Sequence, residues 1–504
     1  MAALGVLSIW LVFAGVSWGA TAPYNPATDG YSMYNLTAQM GATAWWNAGY
    51  TGKGIDVAVI DTGVAPVQGL NTSGKVVYGP DLSLESQSAS LRNLDTNGHG
   101  TFMAGLIAGH DSTLTAPYAN APAAAYRGIA PDARIVSLKV ATADGGVDVT
   151  QVIAAIDWVV QHAHDPGFNI RVINLSYGTN STQASGVDPL AYAAEQAWKH
   201  GIVVVAAAGN TGYQNSHSAI GVADPAYDPY VLAVGGFDTM GTAATSDDNF
   251  GAYSTASVSC HGCKNSDLVA PGSHLQGLRV PGGYLDQNHP EGVIDGRYFR
   301  GTGTSEAAAV TSGVVALLLQ KYPGLKPDQV KRFLATNGVL IANTAAKAQG
   351  GGEISLSTLA QKTAPAYTQS FANATGNGSL ELSRGTDHIS LNGVDLTGEH
   401  DIFGHAFGSA AMAKLEASAS SWSGGTWNGN VWTGGGSLSA NTNASASVSP
   451  VAWSGSSWSG SSWSGSSWSG NSWSGSSWSG SSWSGSSWSG SSWSGAAWAG
   501  ASWH

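Results

Sequence analysis

Cysteine is nearly missing from this chain. Its 504 residues hold two, Cys260 and Cys263, in Cys-His-Gly-Cys. So few thiols exclude a disulfide-stapled scaffold, and a zinc site would need a second ligand pair that the sequence lacks. Charge is scarce as well: 10% of residues are Asp, Glu, Lys or Arg, and the formal net charge is −12. That balance excludes the basic patches which nucleic acid or an anionic membrane surface requires. Residues 417–503 carry no Asp, Glu, Lys, Arg or His, so the acidic character lies before them. Long apolar runs are missing too, with one exception. Residues 4–18 are uncharged and apolar and lead into Gly-Ala-Thr-Ala. This suits a secretory signal peptide over residues 1–22, cleaved near Ala20 or Ala22. No Lys or Arg precedes the run, so an uncleaved anchor is the alternative. No other stretch is long enough to span a bilayer. An exported chain is expected, with Cys260 and Cys263 closing a local disulfide rather than remaining free thiols.

What is present is a regular alternation. Short β-branched runs at Ile55–Ile60, Arg134–Val140, Ile170–Leu175, Ile202–Ala207 and Tyr230–Val234 read as strands buried on both faces. Helical patterns fall between and after them, at Gly98–Gly109, Val149–Ala163, Pro189–His200, Thr304–Gln320 and Pro327–Ala335. Strands alternating with helices predict an α/β fold with a mainly parallel central sheet and helices on both faces. In such sheets functional residues gather beyond the carboxyl ends of the strands.

Four positions meet that rule or stand at a helix start. Asp61 ends the run Val57-Ala58-Val59-Ile60 and precedes Thr62-Gly63; His99 opens a helix within Asn97-Gly98-His99-Gly100-Thr101. Asn210 follows Val203–Gly209, and Ser305 starts a helix within Gly301-Thr302-Gly303-Thr304-Ser305. Taken singly, these are an Asx-turn, an isolated histidine, a turn asparagine and a helix cap. Together they form a serine-hydrolase set. An unactivated hydroxyl needs a base, and neutral imidazole titrates in the useful range. A carboxylate orients the imidazole and stabilises its cation. An amide and a backbone N–H at a helix start can hold a developing oxyanion.

The order Asp, His, Ser, carried by Val59-Ile60-Asp61-Thr62-Gly63, Asn97-Gly98-His99-Gly100-Thr101 and Gly303-Thr304-Ser305, resembles the subtilisin-like serine proteases. The resemblance runs over about residues 35–365 and takes in Gly128–Ala133, Val172–Gly178 and Leu268–Gly272. It implies a three-layer subtilisin-like fold and peptide-bond hydrolysis through an acyl-enzyme on Ser305, with His99 as base, Asp61 as its partner and Asn210 as oxyanion donor. It also implies an extended polypeptide substrate paired between Ser137–Asp148, with Gly145 in its turn, and Ser176, Tyr177 and Gly178. Gly209 would flank the pocket before the scissile bond. No cofactor is implied for catalysis and no metal residue is assigned; structural calcium is left open. Two positions depart from the family: Glu306 replaces the usual Met after the nucleophile, and Ala309 a Pro. Glu306 is expected either to oppose an oxyanion by its charge or to complement the helix N-terminus. The related sedolisins use acid chemistry, against which His99 and Asn210 speak.

The organisation expected is therefore a signal peptide (1–22), a peptidase domain (23–365), a linker or extension (366–416) and a low-complexity tail (417–504). In the tail, Trp422, Trp427 and Trp432 stand five apart, and the spacing resumes at Trp453 and runs to Trp503 in units of Trp-Ser-Gly-Ser-Ser. Five matches neither the helical period nor the strand period, so successive indoles are not expected to share a face. Disorder, a solenoid-like coil and adhesion to cell wall or polysaccharide through exposed indoles are the alternatives. Similar tails in some bacterial relatives imply an extracellular bacterial protein. The rival to a protease is a surface adhesion protein with a silent catalytic site.

Overall fold

The computed structural model describes residues 23–88, 90–212, 221–257, 262–386, 388–391, 394–431 and 452–454. The expected signal peptide, Cys260 and the repeat from Trp432 onward (452–454 apart) lie outside the described residues. Cys263 is disulfide-bonded.

The valine- and isoleucine-rich runs become strands β1 (Asp56–Asp61), β2 (Val76–Asp81), β3 (Arg134–Lys139), β4 (Ile170–Leu175), β5 (Val203–Ala207) and β6 (Leu232–Asp238), with β7 (Asn249–Phe250) and β8 (Leu268–Pro271) beyond. Their order is β2-β3-β1-β4-β5-β6, and β6 also pairs with β7 and β8. Every pairing is parallel except β6 with β7. Every residue of β1 and β5 is buried, as two covered faces require.

Two short helices, α1 (Met33–Gln39) and α2 (Ala42–Asn47), precede the sheet. Helix α3 (His99–Ala108) follows β2, α4 (Val149–His162) follows β3, and α5 (Pro189–Lys199) follows β4. After the one-turn α6 (Tyr284–Asn288) come α7 (Thr304–Lys321) and α8 (Pro327–Ala335). Helices α3 and α7 pack together, α7 crossing β4, β5, β6 and β8, while α4 and α5 form a second packed pair against β1 and β5. The result is the three-layer α/β arrangement. A hairpin of β9 (Leu275–Leu278) and β10 (Tyr298–Gly301) leads into α7. Strand β2 carries no periodic signal because Gly79-Pro80 interrupts it; proline is tolerated there because β2 is a sheet edge.

The segment expected as a linker is pinned to the body. Gln369 donates to the Tyr230 carbonyl at 3.1 Å and to Asp328, and Tyr230 donates to the Phe371 carbonyl at 2.7 Å. Single-turn helices α9 (Ala346–Gln349) and α10 (Leu356–Leu359) precede it, and α11 (Leu380–Arg384) and α12 (Ser409–Ala417) follow, with β11 (His388–Leu391) and β12 (Val394–Asp395) between.

The first tryptophans of the repeat do share a face. Strands β13 (Trp422–Ser423) and β14 (Thr426–Trp427) pair with Trp422 opposite Trp427, and β15 (Asn430–Val431) adds to β14. A two-residue turn, Gly424-Gly425 with φ of 58° and 80°, reverses the chain between them. A period of five is then a cross-strand neighbour, because turn residues do not count along the strand. Both indoles dock on α4: Trp422 Nε1 donates to the Ala154 carbonyl at 2.9 Å and Trp427 Nε1 to Asp157 at 2.7 Å.

Candidate active site

Asp61 stands at the carboxyl end of β1 and is fully buried. His99 opens α3 over that strand end, its Nδ1 2.9 and 3.1 Å from the two Asp61 oxygens. A carboxylate only accepts, so this contact holds a proton on Nδ1, and the lone pair falls to Nε2. The approach needs Gly100, where a Cβ would collide with the Gly63 carbonyl and touch Asp61. Burial pushes the Asp61 carboxyl up, while His99 and the Thr62 N–H, which donates at 2.7 Å, pull it down.

The start of α3 is fixed by a residue the sequence reading missed. Asp95 accepts from the N–H groups of Asn97, Gly98 and Thr101 at 3.1, 2.7 and 2.8 Å, and from the Thr62 and Thr101 hydroxyls. Its signal was an acid ahead of a helix start, the ordinary capping chemistry.

Ser305 lies in the first turn of α7 and is 2% exposed. Its carbonyl accepts from the Ser176 hydroxyl at 3.0 Å. Helix α7 packs on α3, and the side chain after Ser305, Glu306, feels the charges of both His99 and Asp61. Asn210, just past β5, accepts at Oδ1 from the Thr304 N–H at 2.9 Å and hydroxyl at 3.0 Å. Those two donors set the amide's orientation. Its Nδ2 is buried and has no acceptor among the described residues. Thr304, which the sequence reading passed over, also accepts from the Gly209 N–H at 3.1 Å.

The expected substrate segments border this centre. Gly145, at φ 92°, sits in a turn closed by Gly145 N–H to the Thr142 carbonyl at 2.9 Å. Asn97 holds the turn to the start of α3 by donating to the Ala143 carbonyl at 2.8 Å. Ser176 and Tyr177 turn their side chains inward, Ser176 to Ser305 and Asn174 and Tyr177 into the core. Gly178 lies against Ala223 and the Asp224 carbonyl so closely that a Cβ would not fit.

Glu306 is 3% exposed, its carboxyl against Gly301 and the Phe102 ring. Burial pushes its pKa up to about 7. Near neutrality it is therefore half neutral rather than a fixed charge. Ala309 is fully buried in α7, which runs unbroken there. His388 pairs with Glu381 at 2.9 Å and His400 and His405 are exposed; among the described residues no three His, Cys, Asp or Glu are grouped to hold a metal.

The family model described as the subtilase family matches residues 52–378. Serine protease AprX of Bacillus subtilis (strain 168) is 33% identical over 287 residues, which are 56% of this chain and 61% of that protein. Subtilisin DY of Bacillus licheniformis is 31% identical over 296 residues, 59% of this chain and 88% of that protein. Among solved structures, a cold adapted subtilisin-like serine proteinase matches at 27% identity, covering 61% of this chain and 90% of that one with a TM-score of 0.44.

Proposed function

The chain belongs to the subtilase family, and from that we infer that it is a serine endopeptidase hydrolysing peptide bonds through an acyl-enzyme on Ser305. His99 takes the Ser305 proton as Oγ bonds to the scissile carbonyl carbon, then delivers it to the leaving amine as the C–N bond breaks. Water repeats the sequence and frees the acid. Asp61 holds the imidazole in one tautomer and offsets its charge. The Asn210 amide, with the Ser305 N–H, receives the oxyanion; donors of this kind contribute about 10²–10³ in turnover. The extended substrate pairs with the backbone of the Gly145 turn on one side and Ser176–Gly178 on the other.

The observation that carries this reading is the buried His99–Asp61 pair facing the helix start that bears Ser305. The test is fluorophosphonate labelling with mass spectrometry, using Ser305→Ala as control. A stoichiometric adduct on Ser305 is the expected result. No adduct on folded protein would overturn the reading and return the silent adhesion protein as the better one.

Export rests on the apolar residues 4–18 with their small-residue cleavage site. An extracellular bacterial protein, with a tail that contacts cell wall or polysaccharide, rests on the indole repeat and its lack of charge. Deleting residues 432–504 tests the second point: polysaccharide pull-down is lost and peptide hydrolysis is kept.

A further inference from the structure

We propose that Ser383 and Arg384, consecutive residues of α11, are positioning residues that clamp the two substrate-pairing segments to one another from behind. The proposal rests on the hydrolase reading above.

Arg384 reaches the first segment. Its side chain is 1% exposed, and Nε donates to Asp148 Oδ2 at 2.6 Å. Asp148 lies three residues beyond Gly145 and caps α4, accepting from the Thr150 N–H at 3.0 Å while its own N–H donates to Gln151 at 2.7 Å. The other guanidinium nitrogens donate to the Gly398 carbonyl at 2.6 Å, the His400 carbonyl at 2.5 Å and Glu381 at 3.2 Å. The planar fork is satisfied on every side, which is what permits a buried cation.

Ser383 reaches the second segment. Its carbonyl accepts from the Thr179 hydroxyl at 2.5 Å, and its own hydroxyl donates to Asp188 at 2.8 Å and approaches Asp224 at 3.4 Å. Thr179 directly follows Gly178 and exchanges two backbone hydrogen bonds with Asp224, at 2.9 and 3.0 Å. Gly178 lies on that same Asp224 backbone. One dipeptide therefore holds the root of each segment, and its next residues keep it in place. Gly385, at φ 70°, turns against Asn180, which accepts from the Thr386 N–H at 2.9 Å.

The clamp lies outside the residues shared with the family, which end at 378. Its effect should fall on how an extended chain is held, and not on the reactivity of Ser305. That split separates a positioning role from a merely structural one, because general loosening would lower both together.

The experiment compares the full chain with Arg384→Lys, which keeps charge but not the fork, and with Thr179→Val, which removes the hydroxyl that donates to the Ser383 carbonyl and keeps the test open if the first variant fails to fold. Three readouts are taken: the rate of fluorophosphonate labelling at Ser305, hydrolysis of a single-residue ester, and hydrolysis of a hexapeptide amide that fills both segments. In both variants the hexapeptide KM is expected to rise about ten-fold with kcat within about two-fold, while ester kinetics and labelling stay within about two-fold. Equal losses on ester and hexapeptide, or an unchanged hexapeptide KM in a labelled variant, would overturn the clamp. Absence of labelling in the unsubstituted chain would overturn the hydrolase reading and the clamp with it.

Discussion

Asn210 accepts both the N–H and the hydroxyl of Thr304, the residue just ahead of Ser305. A single asparagine thereby spends its oxygen on the first residue of α7, directly ahead of the nucleophile, and keeps its nitrogen for the reacting centre. Thr304→Val removes the hydroxyl but keeps the shape. The amide should then be held by one donor instead of two, and kcat should fall about ten-fold with little change in KM, against about 10²–10³ for Asn210→Ala. Steady-state kinetics on one peptide amide checks both.

Glu306 ionises at about 7 because burial opposes its charge. Below that pH it is neutral beside the oxyanion position, and above it the charge opposes the oxyanion. Glu306→Gln should match the native chain below about pH 6 and exceed it several-fold in kcat above pH 8. Stability follows the same group. A carboxyl raised in the folded state from 4.5 costs stability progressively from pH 4.5 to 7, since the unfolded chain ionises first. The Tm advantage of Glu306→Gln should grow over that window and then level.

Asp157 and Glu416 are buried together where Trp427 docks on α4. Burial pushes Asp157 up to about 7, and burial with the nearby Asp157 pushes Glu416 up. Burial opposes the Asp157 charge although the Trp427 N–H favours it, so ionising this carboxyl costs folded-state stability progressively as pH rises from 3.8 to about 7. Asp157→Asn keeps an acceptor for the indole without a charge. Its Tm gain should be negligible below about pH 4, partial at pH 5 and full, at a few degrees, at pH 8, as differential scanning calorimetry would read.

Trp427 is 0% exposed, with both its ring and its N–H engaged. Trp427→Ala should cost about 3–5 kcal/mol and Trp427→Phe roughly half as much, by denaturant unfolding.

The sheet and its main helices were legible because each strand is a short buried run and each helix a longer one. Observed ends lie within two residues of the expected ones for β1, β3, β4, β5 and α3. That Asp61, His99, Ser305 and Asn210 stand at strand and helix ends was legible because turn chemistry marks those ends. Three features were not. Strand β2 is broken by Gly79-Pro80. Asp95 and Thr304 act through a helix start and an amide, which no spacing encodes. The stretch from Gln369 to Trp427 attaches by isolated contacts between distant residues, as from Ser383 to Asp188 or Trp422 to Ala154, and isolated contacts leave no period.

Helix α2 is anchored in part by a residue made far later in the chain. Trp45 Nε1 donates to the Leu356 carbonyl at 2.8 Å, across 311 residues of chain. A ribosome delivers the chain from its N-terminus, so this indole emerges early and finds its acceptor only when Leu356 has followed. Until then α2 is held by its other contacts alone, such as Trp46 Nε1 donating to the Ile129 carbonyl at 3.0 Å. A nascent chain halted short of Leu356 should therefore leave α2 more open to protease than the finished chain does, and the emergence of Leu356 should be the event that seals it.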